Sequence, residues 1–377
     1  MISDGGGPKF IRVRLPNQFE MFESMDEIIE KVKEDDPEFS ELDMFGMNQN
    51  STELVHNEFL ISLEKFFDSL EKNTKIRKLN MGFNDIENVD RISVFLERNK
   101  CITHFNLCMN YIFSDITKLC NVLKNDNILV ELDLGCVVSH HEMPNICSML
   151  KENKKLKTLK LWGNEIPLDG LSDALATNTS LTELDISECD LCKYDLQCLV
   201  RVLKDNKVLK ILKSSINNFE DEDAMLIFEL LNYNTTLIDI DISGCPTTSA
   251  FIPELCKIIT KNKVEKIRVD VSYSKSYKTC FLLFDDVKNA LYNNTSLIML
   301  DIGYNLGFNI LDWNNKFTKI DKELPSLFMQ KLPDELVCKI ISYMLPPRVN
   351  AEYLLSNLLD FSFERHKRVK ISSGINE

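Results

Sequence analysis

Residues 181–186 read LTELDI and residues 237–242 read LIDIDI, and both follow one pattern: apolar, two residues, apolar, one residue, apolar. The pattern occurs nine times, with steps of 25 to 33 residues between successive copies. The copies begin at Ile76, Ile102, Leu129, Leu156, Leu181, Leu209, Leu237, Val264 and Leu297. This near-constant step predicts one solenoid of small units, rather than the two or three domains that 377 residues would otherwise suggest.

Each copy predicts a short β-strand, then a turn and, in most units, a helix. The alternating apolar positions face one side of a sheet. The turn carries an Asn or Cys whose side chain can bond the backbone of the adjacent turn, namely Asn84, Asn110, Asn164, Cys189, Asn217, Cys245 and Asn305. Helices end in a second signal, Leu-x-x-Asn, and we expect this Asn to adopt the left-handed conformation that leads out of a helix. Stacked units then share one continuous core.

Residues 70–305 resemble the ribonuclease-inhibitor-like branch of the leucine-rich repeat family, whose units of about 28 residues carry an α-helix. The resemblance implies an α/β solenoid, a horseshoe with a parallel inner sheet and outer helices. We expect residues 1–9 to be a disordered tail and residues 76–313 to form the solenoid. Residues 10–75 are either an amino-terminal cap or two degenerate repeats, FIRVRL from Phe10 and FSELDM from Phe39.

Composition excludes several classes of partner. Lys and Arg total 44 and Asp and Glu total 58, and the formal charge of −14 argues against binding nucleic acid. No apolar run reaches the roughly 18 residues of a membrane-spanning helix. Twelve cysteines without a secretory signal predict reduced thiols and a cytoplasmic protein. We expect a monomer.

The residue between the last two apolar positions of each strand is expected to point to the concave face. From the third copy onward its charge alternates in sign, at Asp133, Lys160, Asp185, Lys213, Asp241, Arg268 and Asp301. Neighbouring strands lie about 4.8 Å apart, so this row is interpreted either as a ladder of ion pairs that neutralises the face or as a strip that recognises a partner. Trp162 and Tyr304 follow their strands closely, and each either contacts a partner or covers the repeat core.

Signals for metal binding and catalysis are weak. Cys189 and Cys192 have a CxxC spacing, but Cys189 already occupies the turn position of its unit. His140 and His141 are interpreted as a polar start to the next helix. No GxSxG, phosphate-loop, HExxH or kinase signature occurs. We therefore predict no catalytic, cofactor-binding or metal-binding residues.

After the last copy the pattern stops, and residues 325–370 contain a helical segment with a Leu-Pro start. Its first half resembles the opening helix of an F-box, at Leu332, Pro333, Leu336, Ile340 and Tyr343. In an F-box these residues would bind a Skp-type adaptor. The alternative is a helical cap over the end of the solenoid, which repeat arrays require.

These resemblances imply a non-catalytic scaffold that binds a protein partner on its concave face. A sharper hypothesis is a substrate-recognition subunit of a cullin–RING ubiquitin ligase. A pathogen effector that acts on proteins in a host cytoplasm is a further hypothesis. The alternative is an inhibitor or regulator of an enzyme or of a small GTPase.

Overall fold

In the computed structural model, the described residues lie between residues 11 and 301. The gaps are 16–17, 23–24, 36–38, 48–52, 113–114, 126–127, 248, 262, 270–285, 287–289, 291–293, 295 and 298. The predicted tail, Tyr304 and the segment 325–370 fall outside the described residues. The chain divides into two compact units, residues 1–297 and residues 298–377.

The first two strands form an antiparallel hairpin. β1 (Ile11–Leu15) pairs with β2 (Gln18–Phe22), and Leu15 lies opposite Gln18. The degenerate copy FIRVRL is therefore one arm of a hairpin and not a repeat strand. The copy FSELDM instead supplies β3 (Glu41–Asp43), which pairs in parallel with the first strand of the regular repeats. Residues 10–75 thus combine a hairpin with one repeat-type strand.

One parallel sheet runs through the first unit, and its strands follow the order of the sequence. After β3 its members are β4 (Lys78–Asn80), β5 (His104–Asn106), β6 (Glu131–Asp133), β7 (Thr158–Lys160), β8 (Glu183–Asp185), β9 (Ile211–Lys213), β10 (Asp239–Ile242) and β11 (Lys266–Val269). The ninth copy forms β12 (Met299–Asp301), which belongs to the second unit. All nine strands lie where the repeat pattern predicts them, and the α/β solenoid is confirmed.

In the described residues, helices connect the strands of the parallel sheet from β3 to β11, as parallel pairing requires, and one further helix joins the hairpin to β3. They are α1 (Met25–Lys33), α2 (Glu53–Lys72), α3 (Asp90–Arg98), α4 (Thr117–Lys124), α5 (Met143–Glu152), α6 (Leu168–Thr177), α7 (Lys193–Leu203), α8 (Asp221–Tyr233) and α9 (Ile252–Lys261). Each buries one apolar stripe; in α7 this is Leu196, Leu199 and Leu203. The spacing of three and four residues places these side chains on one helix face.

The core lies between the helices and the sheet. The central apolar residue of each repeat strand from β3 to β12 is buried, as Leu132 and Leu184 illustrate. The Phe105 ring of β5 meets the Phe95 ring of α3 edge-on at 6.4 Å between centroids. The helices therefore cover the sheet face toward which the central strand residues point. The opposite face, which we call the open face, carries the residues on either side of each central residue.

Asparagines in the turns after the strands bond two neighbouring repeats, as predicted. The amide nitrogen of Asn164 donates to the carbonyl oxygens of Leu134 and Leu161 at 2.9 and 2.8 Å. Its amide oxygen accepts from the backbone N–H groups of Val137 and Val138. Cys189 occupies the same position in the next unit and donates its thiol to two carbonyls. These side chains satisfy buried backbone groups that stacking would otherwise leave unpaired.

The asparagines at the helix ends work differently from the prediction. Asn153, Asn178 and Asn234 have extended backbones, with φ near −70° and ψ near 130°, so the expected left-handed conformation is wrong. The side chain of Asn178 instead donates to the carbonyl of Leu150 one repeat earlier at 2.6 Å. It accepts from the N–H of Leu181 at 2.7 Å. This Asn is therefore required for its hydrogen-bonding side chain and not for its backbone freedom.

Candidate functional site

Two residues of each strand reach the open face, one on either side of the buried central residue. The register aligns them into two columns across the sheet. The first column is Glu41, Lys78, His104, Glu131, Thr158, Glu183, Ile211, Asp239 and Lys266. The second column is Asp43, Asn80, Asn106, Asp133, Lys160, Asp185, Lys213, Asp241 and Arg268. The two columns together contain eight carboxylates and five lysine or arginine side chains, so the open face has a net negative charge.

The second column contains the predicted row of alternating charge, and the register places its members side by side from Asp133 to Arg268. The three cations of this column, however, form their shortest ion pairs diagonally, with carboxylates of the first column. Lys160 Nζ lies 2.5 Å from Glu131 Oε1 but 3.9 Å from Asp133 Oδ2. Lys213 likewise bonds Glu183 at 2.6 Å. Neighbouring members of the second column also pair at Lys160–Asp133 and Arg268–Asp241, so the predicted ladder is present only in part.

The diagonal arrangement follows from side-chain length. A carboxylate two residues back on the preceding strand lies farther away than the direct neighbour, and that distance suits an extended lysine stem. Arg268 shows the same preference, with Nη1 3.0 Å from Asp239 and 3.5 Å from Asp241. The first column was missed at the sequence level. The strand period of two would have identified it, since residues on both sides of a central apolar residue point to the same face.

Asp133 is the most buried carboxylate of the predicted strip, with 7 % of its surface exposed. It accepts a hydrogen bond from the backbone N–H of Gly135 at 3.0 Å. Burial raises the pKa of Asp133 despite that bond and the nearby Lys160. Burial alone would lower the pKa of Lys160, but its bond to Glu131 and the surrounding carboxylates raise it. The centre of the strip is thus a partly desolvated charge cluster.

The Trp162 side chain lies across the preceding repeat. A Cβ atom added to Gly135 would fall 2.2 Å from Cε2 of the indole ring, so only glycine accommodates the ring there. The nearby indole also acts to lower the pKa of Asp133, against the effect of burial. Trp162 remains half-exposed at the border of the open face. It therefore covers its neighbour and still presents a surface to solvent, and its contact with a partner stays a prediction.

The predicted residues are not all placed. The strand of Asp301 belongs to the second unit, and Tyr304 lies outside the described residues. The predicted adaptor-binding residues also lie outside them, namely Leu332, Pro333, Leu336, Ile340 and Tyr343. The structure brings the remaining predicted partner-binding residues onto the open face or its border.

The described cysteines give no sign of a metal centre. Cys189 is 4 % exposed, and burial raises the pKa of its thiol to about 12. Cys192 is exposed and bonds Asp195 at the start of α7. Within the described ranges no group of three or more His, Cys, Asp or Glu side chains could hold a metal ion. All ten cysteines described there are free thiols.

Comparisons with known proteins agree with this fold. A family model for the leucine-rich repeat matches residues 72–94 and 177–191. The mouse NACHT, LRR and PYD domains-containing protein 4C is 26 % identical over 181 residues, which are 46 % of this chain and 18 % of that protein. Mouse leiomodin-1 is 31 % identical over 138 residues, 36 % of this chain and 21 % of that protein.

One solved structure has a similar fold over most of this chain. The leucine-rich repeat-containing protein LegL7 from Legionella pneumophila superposes with a TM-score of 0.50 and 17 % identity, covering 78 % of this chain and 95 % of that one. The first four curated relatives are matched over only 17 to 28 % of their own length. Among the described residues, no helix is long and apolar enough to span a membrane.

Proposed function

We propose that this leucine-rich repeat protein is a non-catalytic scaffold that binds a protein partner on the open face of its parallel sheet. The observation that supports this is the open face itself. It presents two columns of mostly polar side chains. Parallel strand pairing fixes their positions, and ion pairs between the columns hold several of them. A preformed surface of this kind loses little conformational entropy on binding. Leucine-rich repeat proteins in general bind other proteins and are generally non-catalytic.

The electrostatics of the face favour recognition of a specific partner over general adhesion. Lys160, Lys213 and Arg268 already pair with carboxylates of the preceding strands. A partner must therefore match both signs of charge, because an unmatched charge would lose its hydration without compensation. The half-exposed Trp162 adds an aromatic contact of the type that dominates interface energetics.

A substitution at Ile211 tests this proposal. Ile211 lies between Glu183 and Asp239 in the register and is half-buried on the open face. Ile211→Arg adds bulk there, while the two carboxylates accommodate its charge. We expect the full chain to capture a protein from a eukaryotic lysate and Ile211→Arg to lose it. Ala176→Arg, on the exposed side of α6, is the matched control and should retain it. If both variants capture the protein equally, or if the wild type captures none, the proposal that the open face binds a partner is wrong.

The sharper proposal concerns the carboxyl-terminal segment, and its support is the sequence resemblance to an F-box helix. In this hypothesis the repeats hold a target protein and the segment binds a Skp-type adaptor of a ubiquitin ligase. We expect a purified adaptor to bind the full chain and to be lost with Leu336→Asp. If the intact chain does not bind the adaptor, the ligase hypothesis is wrong, while the scaffold proposal remains. A role as an effector inside a host cytoplasm rests on the same binding function.

A further inference from the structure

The two edges of the sheet carry opposite charge. We call the side where strands end the loop edge, and five of its loops are described in full: residues 81–89, 134–142, 161–167, 186–192 and 214–220. They contain seven acidic residues and no Lys or Arg, the acids being Asp85, Glu87, Glu142, Glu165, Glu188, Asp190 and Glu220. Five of the described segments that enter the strands, taken together, show the reverse. Residues 73–77, 99–103, 153–157, 178–182 and 206–210 contain eight Lys or Arg and no acidic residue.

Helix dipoles explain only part of this asymmetry. Helix N-termini lie at the loop edge, and their partial positive charge favours acidic residues within the first turn. Glu142 and Glu220 stand directly before α5 and α8 and fit that role. The other five acids precede their helices by three residues or more. Among the described residues, no ion pair joins any of the seven to a lysine or arginine. One of the seven, Glu165, lies 3.9 Å from His140 Nδ1. The loop edge therefore carries an excess of negative charge.

Large side chains at the loop edge occupy a backbone conformation that glycine prefers. The last position of each repeat pattern lies at the end of the strand or directly after it, as Met81 follows β4. The residue two positions after it has a positive φ in the described repeats, as Phe83 does. In three repeats this residue is Gly46, Gly163 or Gly244, with φ from 68° to 70°. In others it is Phe83, Met109, Cys136, Glu188 or Ile216, with φ from 53° to 59°. A β-branched residue such as Ile216 is strained there.

These strained side chains are also exposed to solvent. Ile216 is 57 % exposed and Met109 is 37 % exposed, so burial gives little compensation for the strain. Neighbouring aromatic residues extend the same surface: Phe45 is 46 % exposed and its ring lies 5.8 Å from that of Phe83. Exposed residues with a strained backbone do not stabilise the fold, and we therefore infer that they serve a function such as binding.

We define the rim strip as Phe45, Phe83, Met109, Tyr111, Trp162 and Ile216. It spans the strands from β3 to β9, which are six steps of about 4.8 Å and so about 29 Å. An extended peptide rises about 3.3 Å per residue, so the strip matches about nine residues. Four of its members are exposed, Phe83 and Trp162 are half-buried, and the units of β6 and β8 contribute no member. Apolar side chains grouped on one exposed edge mark an interaction surface.

We propose that the loop edge binds an extended, basic segment of a partner protein, whose Lys and Arg side chains alternate with apolar ones. This inference rests on the proposed function and names the chemistry of the partner. The acidic loops attract the cationic side chains, and the rim strip receives the apolar ones. Exposed rings such as Tyr111 and Phe45 also attract guanidinium groups through their faces. The excess of carboxylates on the adjoining open face reinforces the same selectivity.

A labelled peptide tests the proposal on the full chain. The probe is a nine-residue peptide in which Arg alternates with Leu, and the readout is fluorescence anisotropy at low and high salt. We expect binding that weakens as salt rises. A peptide with Glu in place of Arg should bind at least about tenfold more weakly, and so should one with Ser in place of Leu. Equal binding of the Arg and Glu peptides, or no binding of the Arg peptide, would overturn the proposal.

Variants locate the binding surface. Met109→Gly with Ile216→Gly should weaken binding by about fivefold or more, because both side chains are removed at positions where glycine fits the backbone. The matched control is Met225→Ala with Ile61→Ala, which removes helix side chains that are 37 % and 64 % exposed. Glu188→Gln with Asp190→Asn should weaken binding mainly at low salt. Unchanged binding in both sets of rim variants would overturn the placement.

The outcome also separates this inference from the proposed function. A chain that captures a protein partner through the open face but binds no basic peptide overturns the inference and leaves the scaffold function standing. A chain that binds the basic peptide at the rim but captures no protein from a lysate supports the inference and refutes capture of a folded partner by the open face.

Discussion

Replacing Asn178 by Ala should destabilise the solenoid strongly, although the side chain is small and lies at a helix end. Asn178 is 4 % exposed and follows α6. Its amide nitrogen donates to the Leu150 carbonyl at 2.6 Å, and its amide oxygen accepts from the N–H groups of Ser180 and Leu181 at 2.9 and 2.7 Å. Alanine therefore leaves three backbone groups without these partners in the interior.

The expected loss follows from those three groups. An orphaned buried donor or acceptor costs about 1–1.5 kcal/mol in this setting, which gives about 3–4.5 kcal/mol in total. Asn125 ends α4 and supplies the control. It is exposed, and its amide makes one bond, to the carbonyl of Asn121 at 3.0 Å. Asn125→Ala should therefore cost less than about 0.5 kcal/mol.

Urea unfolding followed by far-ultraviolet circular dichroism measures both variants against the wild type. Asn178→Asp separates the two halves of the side chain, because a carboxylate keeps the acceptor but cannot donate to Leu150. Its destabilisation should shrink at acid pH, where a buried carboxyl regains a proton to donate. If Asn178→Ala and Asn125→Ala unfold at the same urea concentration, the bond to the preceding repeat does not stabilise the fold as argued.

Three further predictions use the same unfolding assay. The Arg91 guanidinium lies 3.0, 2.5 and 2.7 Å from the carboxylates of Glu64, Asp68 and Glu71 on α2. Arg91→Ala should therefore lower the free energy of unfolding by about 1–2 kcal/mol, and Arg98→Ala, at an exposed residue, by less than about 0.5 kcal/mol. Equal losses would contradict a stabilising role for the three Arg91 ion pairs. Burial raises the pKa of Asp133, so the folded state holds its proton more tightly than the unfolded state, and stability is lost as pH rises through the folded pKa. Asp133→Asn should therefore gain stability relative to the wild type as the pH rises above the ordinary pKa of an aspartate, and a pH-independent difference would refute this. Ile216→Gly should stabilise the fold by up to about 1 kcal/mol, because relief of a left-handed residue exceeds the entropy cost of glycine; Gly163→Ala, whose Cβ would fall 2.3 Å from the Cys136 sulfur, should do the opposite.

The repeat pattern predicted the strands well because burial imposes it directly. A residue such as Leu184 must be apolar in every unit, and the step between units is set by one strand, one turn and one helix. The amino-terminal copy at Phe10 was wrongly interpreted as a possible repeat strand because it shows the same alternation. An arm of a hairpin also alternates with period two, and alternation alone does not say whether the neighbouring strand is parallel.

The candidate site could be predicted only in part. The second column of the open face was visible in the sequence, since it sits between two apolar residues. Its diagonal partners, such as Glu131, depend on how far a lysine reaches across the sheet, and this requires the register. The left-handed residues at the loop edge were not predictable, because Met109 and Ile216 are types that normally avoid positive φ. The helix-end Asn role was missed because its donor bond reaches into the preceding repeat.

The asparagine bonds that run from each repeat to the one before it also bear on how such a chain can arise. The Asn234 amide donates to the Leu203 carbonyl of the preceding unit, and the Asn178 amide donates in the same way to the Leu150 carbonyl. A unit with this asparagine therefore encodes the group that completes its predecessor. A duplicated unit of this kind brings its own connection with it and needs no compensating change in the older copy. Repeat number can then change by duplication while the junctions that carry this asparagine keep the same chemistry.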